Sequence, residues 1–445
     1  MDKSRREALK QGVTLATGLG LAGSYGNRLF AIGKKTAPSD RVNLALIGCR
    51  NRGYHVLENH LKLADTKCVA LCDVDSEVLE KRSAEIKEKY GQKPKVYTDY
   101  RKMLENKDID AVIIGTPDHW HCLQLVHACE AGKDVYVEKP MANSIEECNV
   151  MVNATRKYKR VVQVGQQQRS SRHWQEIMKT IQSTKLGKLR KVEMWANFNY
   201  GVGGEKVSDS PVPKSVDYNL WLGPAPKRKT FNTGRFHGNW RMWWDYGGGL
   251  MTDWGVHLID MGLWAGPVSG APQVTLAYGD NLSFPDHARE TYDTMSVTWP
   301  LTDYIMTWEH TAGTQNGPFD KPYGIRFICD KATILADRSG YKTIPEWDQQ
   351  RETHQAEAEE VKRYSTEYDM HAGNFIDCIK SREDPICTVE DGRRVALYAH
   401  MANIAVRTGE LKLQWDDANN RFAGSDKANQ YIAPKYREPW VLPQV

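Results

Sequence analysis

An acid and an imidazole stand four residues apart in the stretch GGGLMTDWGVHLID, as Asp253 and His257. Side chains at positions i and i+4 of an α-helix share one face, so this carboxylate can orient the imidazole and support its charge. His257 is then a candidate general base for a substrate hydroxyl. The alternative is structural: Asp253 follows Thr252 at the start of a helix, where it would act as a cap, and His257 would lie in the core. Asp260, about one turn later, is expected to be structural.

A glycine turn in LALIGCRNRGYH predicts a nucleotide site. Gly48 follows a buried strand and permits a tight turn, and Gly53 opens a helix whose free N–H groups can bind a pyrophosphate. Arg50 occupies the place of the middle glycine of G-x-G-x-x-G, and we expect its side chain to turn outward along the adenosine or a phosphate. Asp73 ends the next strand, where a carboxylate can bond the ribose hydroxyls. Because a carboxylate repels a 2′-phosphate, the sequence predicts NAD rather than NADP.

The elements that surround these residues predict an α/β protein. From Arg41 onward, short apolar runs alternate with amphipathic stretches, as in VNLALIG, KCVALCDVD, IDAVIIGTP, KDVYVEKP and RVVQVGQ. Strands that are apolar throughout belong in a parallel sheet covered on both faces. Repeated βα units of this length therefore predict a doubly wound Rossmann domain over residues 41–167.

The remaining residues, 168–445, have a different pattern. Longer alternating strand candidates, such as KLRKVEMWANFNY, YDTMSVTWP and DYIMTWEHT, predict an α+β domain with a large, mostly antiparallel open sheet. A Trp- and Gly-rich insertion at 207–249 interrupts this pattern. Residues 371–408 return to helical periodicity and are expected to pack back toward the first domain.

Composition excludes several functional classes. With 445 residues the chain exceeds one ordinary core, and a net charge of +4 with dispersed basic residues does not indicate nucleic-acid binding. The nine cysteines include no C-x-x-C pair, and their odd number excludes a fully paired disulfide framework. His119 and His121 flank Trp120 without a carboxylate or thiolate cluster, so we expect no metal site.

The first 33 residues have the pattern of an export signal. Arg5 and Arg6 precede an uncharged stretch, 11–27, that is rich in Gly, Ala and Leu, which indicates the twin-arginine route and a periplasmic or exported protein. The alternative is a mobile arm on a cytoplasmic protein. The stretch is too short and too rich in glycine for a membrane span, and nothing later in the sequence resembles one.

Three motifs together carry a family resemblance. They are GTPDHWH at 115–121, AGKDVYVEKP at 131–140 and the D-x-x-x-H of GGGLMTDWGVHLID at 247–260. With the glycine turn, the chain resembles the Gfo/Idh/MocA family (glucose-fructose oxidoreductase, inositol dehydrogenase, rhizopine catabolism protein). The resemblance implies sugar or cyclitol substrates, a nicotinamide cofactor and an open C-terminal sheet that often serves for oligomerisation. We therefore expect a homo-oligomer, dimer or tetramer, that associates through that sheet.

The resemblance also implies roles for individual residues. Lys139 matches the family lysine and would hold the substrate hydroxyl and assist its proton transfer, and Asp253 with His257 match the acid/base pair. The turn and the resemblance together predict cofactor contacts from Gly48, Arg50, Asn51, Arg52, Gly53, Asp73, Thr116, Pro117, His121, Glu138, Lys139 and Gln166. Substrate contacts are expected from Lys139, Arg169, Arg241, Asp253 and His257.

The insertion leaves two interpretations open. FHGNWRMWWDYGGG, at 236–249, would supply either an aromatic and Arg241 for a sugar or a hydrophobic plug for the domain interface. Tyr200, at a strand end, is a weaker cleft candidate.

The predicted function is hydride transfer between a sugar, glycoside or cyclitol hydroxyl and a tightly bound nicotinamide cofactor. Free cofactor should be scarce outside the cytoplasm, so an exported enzyme of this kind would regenerate its cofactor within the site. The alternative is therefore an NAD-dependent glycoside-cleaving enzyme of the same fold, working by oxidation, elimination and re-reduction. Family 109 glycosidases differ from this chain at the lysine and D-x-x-x-H motifs, which favours plain oxidoreduction. A third hypothesis, a catalytically idle binding module, has no need for a proton-transfer pair.

Overall fold

The computed structural model describes residues 41–228 and 230–445, so the predicted export signal lies outside the described residues. The first domain contains a parallel six-stranded sheet in the order β3-β2-β1-β4-β5-β6. Its strands are β1 Val42–Ile47, β2 Thr66–Cys72, β3 Lys95–Tyr97, β4 Ala111–Ile114, β5 Asp134–Val137 and β6 Val162–Val164. Strands β1, β4 and β5 are buried at every position, as strands covered on both faces must be. The predicted doubly wound parallel sheet is confirmed.

Helices connect these strands and cover both faces of the sheet. They are α1 Asn51–Leu61, α2 Ser76–Tyr90, α3 Tyr100–Leu104, α4 His121–Glu130 and α5 Ile145–Lys157. Local sequence fixes their ends: the Asp75 carboxylate accepts the N–H of Glu77 at the start of α2, and Gly91 ends that helix with a φ of 65°. Ser144 caps α5 in the same manner.

A ten-stranded sheet organises the second domain in the order β18-β15-β14-β13-β7-β12-β11-β9-β19-β20. Its strands are β7 Leu189–Ala196, β9 Val274–Asp280, β11 Thr294–Pro300, β12 Ile305–Thr311, β13 Tyr323–Cys329, β14 Ala332–Asp337, β15 Gly340–Pro345, β18 Glu359–Lys362, β19 Lys412–Asp416 and β20 Arg421–Phe422. Every neighbouring pair is antiparallel except β7 with β12. The predicted mostly antiparallel sheet is confirmed, although β15, β18, β19 and β20 were not foreseen because they are short or polar.

Four short strands pair outside the large sheet: β8 Gly204–Glu205 with β10 His287–Ala288, and β16 Trp347–Asp348 with β17 Thr353–His354. The helices of the second domain are α6 Arg172–Gln182, α7 Tyr218–Leu222, α8 Val256–Trp264, α9 Glu367–Ser381, α10 Val389–Thr408 and α11 Asp426–Asn429. Helices α8 and α10 cover one face of the sheet, where Trp299 packs on Tyr398 with ring centroids 5.6 Å apart.

The two sheets are joined by helices that contact both. Helix α9 lies against α1, and α10 lies against α5, so residues 371–408 sit beside the first domain. The C-terminal tail also returns to that domain: the Tyr436 hydroxyl donates to Glu147 at 2.6 Å, and the Trp440 ring packs edge-on against Trp120 at 4.9 Å. The Tyr436 contact is to helix α5, and the Trp440 contact packs on the loop after β4.

The insertion at 207–249 forms a small core of its own. Trp221, Phe231, Phe236 and Tyr246 are among its buried members. Backbone hydrogen bonds join it to the first domain directly after β2, between Asp217 N–H and the Val74 carbonyl and between Ser76 N–H and the Ser215 carbonyl, both at 2.9 Å. The insertion therefore forms a wall over the carboxyl edge of the first sheet.

Candidate active site

One cavity of about 410 Å³ lies along the carboxyl edge of the first sheet, between the two domains. Its first part, which we call the turn end, is lined by Gly48, Arg50 and Asp73. Its second part, the lysine end, is lined by Lys139, Asp253 and His257. Residues separated by some two hundred positions in sequence therefore line one cavity.

The glycines of the turn end are required by close backbone contact. A Cβ on Gly53 would lie 2.0 Å from the Gly48 carbonyl oxygen, and a Cβ on Gly48 would lie 2.8 Å from the Gly115 and Thr116 backbone. Gly48 also has a φ of 84°, which favours glycine. The turn therefore packs directly on the end of β4, with the α1 N-terminus and Asn51 open to the cavity.

Arg50 and Asp73 both line the turn end of the cavity. The Arg50 side chain is exposed and turns outward, and its Nη1 donates to Nε2 of His237 in the insertion at 2.5 Å. The two carboxylate oxygens of Asp73 accept the N–H groups of Cys49 at 2.6 Å and Asp75 at 3.1 Å. Burial raises the pKa of Asp73 to about 6, against these hydrogen bonds.

The loop after β4 supplies two cavity residues and one support. Thr116 and Pro117 line the cavity, and the Thr116 hydroxyl donates to Oε1 of Gln124 at 2.8 Å. His121 is fully buried behind them, with its ring nitrogens 2.9 Å from the Pro140 carbonyl and 3.0 Å from the Thr116 carbonyl. The prediction that His121 contacts the cofactor is therefore corrected, because its ring instead joins two loops behind the cavity wall.

Lys139 and Asp253 form the central ion pair of the lysine end. Lys139 Nζ lies 2.6 Å from Asp253 Oδ1 and 2.6 Å from the Asp253 carbonyl oxygen. The Tyr200 hydroxyl donates to Oδ2 at 2.8 Å, and Arg241 Nε lies 3.4 Å from Oδ1. Burial would raise the pKa of Asp253, but Lys139 and Arg241 together hold it well below its usual range. This carboxylate is therefore ionised and fixed by three donors.

His257 lines the cavity but is not oriented by Asp253. Its imidazole makes no hydrogen bond among the described residues, and its Nδ1 is buried without a partner. Asp253 lies in a π-helical turn, Met251–Gly255, and its carboxylate is already engaged by Lys139 and Tyr200, which corrects the predicted carboxylate–imidazole bond. Burial, with the charge of Arg338 and then Lys139, holds the pKa of His257 well below its usual range. The imidazole is neutral at pH 7.

Arg52 and Glu138 form a second ion pair in the cavity wall. Arg52 Nε donates to Glu138 Oε1 at 2.9 Å, and its guanidinium lies over the Tyr368 ring at 5.1 Å. Gln167 also lines the cavity, whereas its neighbour Gln166 is buried behind it and donates to the Val256 carbonyl at 3.2 Å. Gln166 therefore supports the helix that carries His257, and its predicted cofactor contact is corrected.

Arg169 was expected to contact substrate, and the structure places it elsewhere. It is buried, with its guanidinium nitrogens 2.7–3.0 Å from the Asp260 carboxylate and 3.0 Å from Asp391. Asp260 is the structural residue that the sequence indicated. Because Asp260 is fully buried, its charge requires a cation, and Arg169 supplies it behind the cavity wall.

The insertion has the structural features of both interpretations. Trp240 and Arg241 line the lysine end, with the Arg241 guanidinium 4.4 Å from the Trp240 ring centroid. Trp221 and Phe236 also reach the cavity, although most of their surface packs in the insertion core. The insertion therefore packs as an apolar core between the domains and also contributes the Arg241 guanidinium and the Trp240 indole to the cavity wall.

Sequence reasoning missed two ionisable residues of this wall. Asp118 lies inside the GTPDHWH motif and is 4% exposed; burial raises its pKa well above the usual range, although Arg241 and Lys139 oppose this. Asp118 could have been predicted as a cavity residue, because it directly follows Pro117, which was itself predicted to contact the cofactor. Arg338 comes from the turn between β14 and β15, and no local pattern marks it.

In the described part of the chain, no helix combines the length and apolar character that a membrane crossing needs. Nor do three or more His, Cys, Asp or Glu side chains in that part come together as a metal site.

Two family models match the chain. The model of the oxidoreductase family with an NAD-binding Rossmann fold matches residues 42–166, and the model of its C-terminal α/β domain matches 171–264 and 351–442. The chain belongs to the Gfo/Idh/MocA oxidoreductase family. The glycine turn, the E-K-P motif and the D-x-x-x-H motif all lie within the matched segments.

Similar proteins of this family include two glycosyl hydrolase family 109 proteins. One, from Shewanella baltica, is 37% identical over 121 residues, or 26% of each chain. Another, from Solibacter usitatus, is 33% identical over 163 residues, or 35% of this chain and 37% of that protein. The match therefore spans well under half of the length of either relative.

Solved structures share the fold over far more of the chain. Levoglucosan dehydrogenase in complex with NADH and levoglucosan superposes with a TM-score of 0.64 at 17% identity, covering 84% of this chain and 99% of that one. Aldose-aldose oxidoreductase from Caulobacter crescentus, complexed with glycerol, gives a TM-score of 0.62 at 18% identity over 84% of this chain and 100% of its own. At these identities the similarity establishes the two-domain fold.

Proposed function

We propose that the protein is an NAD-dependent oxidoreductase that transfers a hydride between a carbinol carbon of a sugar, glycoside or cyclitol and a tightly bound nicotinamide cofactor. The observation that supports this most is the convergence of Lys139, Asp253 and His257 on the cavity that also contains the glycine turn and Asp73. The structures of levoglucosan dehydrogenase with NADH and its sugar are consistent with this substrate class.

The turn end fits a dinucleotide on structural grounds. Side chains at Gly48 and Gly53 are excluded by backbone contact, which leaves the α1 N-terminus bare for a pyrophosphate. Asp73, fixed by two amides, would hold the adenine ribose, and the insertion that is hydrogen-bonded next to it would help to retain the cofactor. When bound, NAD supplies a hydride acceptor that no side chain can provide.

Side chains of the cavity would accept the proton of the substrate hydroxyl and bind its oxygen. Neutral His257 would accept the hydroxyl proton, since burial and neighbouring cations keep its own proton off. Lys139, held by Asp253, would bind the hydroxyl oxygen and stabilise negative charge that develops on it. Arg241 and Trp240 would bind further hydroxyls and stack on the ring of the substrate.

A pair of variants tests this assignment. Lys139→Ala and His257→Ala should each keep bound NAD, measured by native mass spectrometry, while turnover of a reactive sugar falls by about a hundred- to ten-thousandfold. Lys102→Ala and His354→Ala, at exposed positions outside the cavity, are the matched controls and should turn over normally. Undiminished turnover in both cavity variants would refute the assignment.

Two observations support the alternative function, glycoside cleavage. The family 109 relatives carry that name, and Asp118 offers a buried carboxyl with a raised pKa that could protonate a departing glycosidic oxygen. The test is incubation of the holoenzyme with aryl glycosides. Release of the aglycone without net NADH would establish this alternative, and oxidation without release would exclude it.

We also propose export by the twin-arginine route and assembly through the ten-stranded sheet. Arg5 and Arg6 before an uncharged stretch support export, and the test is loss of export in a variant with both arginines replaced by lysine.

Assembly through the ten-stranded sheet is supported by three exposed apolar side chains on it, Leu276, Tyr278 and Ile305. Light scattering should show a dimer or tetramer that Tyr278→Glu dissociates, and a monomeric wild-type protein would contradict it.

A further inference from the structure

Arg338 is a cation of the cavity wall that lacks an acidic partner. Its Nε donates to the amide oxygen of Gln168 at 2.9 Å, and its guanidinium lies flat over the Trp254 ring at 4.5 Å. Among the described residues no carboxylate lies within ion-pair distance of it, and its Nη2 is buried without a hydrogen-bond partner. By contrast, Lys139 and Arg241 in the same wall both contact Asp253.

The lysine end carries an excess of positive charge. Arg52 is neutralised by Glu138, and the single carboxylate of Asp253 is shared by Lys139 and Arg241. Arg338 then adds a further cation without an added anion. Burial raises the pKa of the remaining acid, Asp118, which favours its uncharged form, although Arg241 and Lys139 oppose this. A bound oxidised nicotinamide would add positive charge, so this end of the cavity attracts an anion.

We infer that the substrate is a sugar acid, whose carboxylate pairs with Arg338 while its reacting hydroxyl lies at Lys139 and His257. The inference rests on the proposed function and specifies its substrate class. Gln168 engages Nε of Arg338, and the Nη groups, which have no partner among the described residues, are left to donate to a carboxylate at the edge of the stacked guanidinium. Arg338 thereby fixes which end of the sugar faces His257.

The cofactor's own phosphates do not account for this cation. The pyrophosphate site is the α1 N-terminus, at the turn end, whereas Arg338 comes from the β14–β15 turn of the second domain beside His257 and Trp254. An alternative role is purely electrostatic, in which Arg338 serves only to keep His257 neutral. That role predicts an effect on the catalytic rate and its pH dependence, but no preference for a charged sugar.

The test is calorimetric titration of the holoenzyme with matched sugars. D-Glucuronate and D-galacturonate are compared with D-glucose, D-galactose and the two 6-phosphates, for wild type, Arg338→Met, Arg338→Lys and the exposed control Arg190→Met. We expect a uronate to bind about ten- to a hundredfold more tightly than its neutral counterpart, with the advantage decreasing as salt rises. Arg338→Met should abolish that advantage, Arg338→Lys should retain part of it, and Arg190→Met should retain all of it.

Several outcomes overturn the inference. They are equal affinity for acids and neutral sugars, an advantage that survives in Arg338→Met, or a preference for the phosphate over the uronate. If Arg338→Met does not fold, the wild-type comparison and Arg338→Lys still decide. Tight uronate binding without hydride transfer would contradict the proposed function and leave this inference standing. Hydride transfer from neutral sugars that bind as tightly as the corresponding acids would support the proposed function and contradict this inference.

Discussion

The turn end and the lysine end of the cavity are built from different kinds of contact. At the turn end, Gly48 and Gly53 lie five residues apart, and backbone atoms define the surface. At the lysine end, Lys139, Asp253 and Arg338 come from three distant segments, and side-chain charges define it. At the turn end, an added side-chain atom would clash with the backbone. At the lysine end, the balance of charge depends on which cations share the carboxylate of Asp253. The two ends should therefore respond to substitution in different ways.

The largest effect is expected where one carboxylate serves several partners. Asp253→Asn removes the anion that Lys139 and Arg241 share, leaving two half-buried cations without that counter-charge. Turnover should fall by about a hundred- to ten-thousandfold, while the NAD content of the purified protein stays unchanged. Steady-state kinetics with native mass spectrometry checks both. Loss of NAD together with activity would show that the two ends are not independent.

The opposite result is expected at the turn end. Gly53→Ala places a methyl group 2.0 Å from the Gly48 carbonyl oxygen, so the turn must shift and bound NAD should be lost. The matched control is Gly373→Ala in α9, where no atom lies within 4 Å and alanine should stabilise the helix by about 0.5–1 kcal/mol. Cofactor content and thermal melting distinguish them. A Gly53→Ala protein that retains NAD would contradict the backbone account of this end.

A pH profile tests the charges at the lysine end. His257 accepts a proton only while neutral, and its lowered pKa means that kcat stays level as pH falls through about 6.5, the ordinary value of histidine. Arg338→Met removes a cation that lowers this pKa, so the acid limb of the kcat profile should move to higher pH. A limb that stays in place, or moves to lower pH, would show that His257 is not the titrating base.

The smallest effect is expected at Tyr200. Tyr200→Phe removes one hydrogen bond to Asp253 and leaves the Lys139 contact intact, so turnover should fall by only about tenfold. Kinetics of this variant beside Asp253→Asn measures how much the donors of one carboxylate contribute. A loss equal to that of Asp253→Asn would show that Tyr200 itself contacts the substrate.

The same contrast explains what the sequence could predict. The turn end is local: strand, glycine and helix adjoin along the chain, and the strand-ending acid Asp73 follows at a regular distance, so fold and site could be predicted together. The second sheet could be predicted from alternating strands, but β15, β18, β19 and β20 could not, because they are short or polar and depend on their neighbours.

At the lysine end, the structure brings the predicted residues together but pairs them differently from the prediction. Lys139, Asp253, His257 and Arg241 line the cavity, yet Asp253 pairs with Lys139 rather than with His257. Helical spacing places two side chains on a face, but it does not reveal a lysine that arrives from another domain. Arg169 shows the same limit, since its partners lie about ninety and over two hundred positions further along the chain.

The central claim is that cofactor and sugar share one cavity beside Lys139 and His257. It is tested most directly by adding sugars and sugar acids to the purified protein with its retained cofactor and following the near-ultraviolet absorbance of reduced nicotinamide. We predict a rise equivalent to one NADH per active site, which is absent when Lys139 and His257 are both replaced by alanine. An identical rise in that double variant, or no rise with any sugar, would contradict the account.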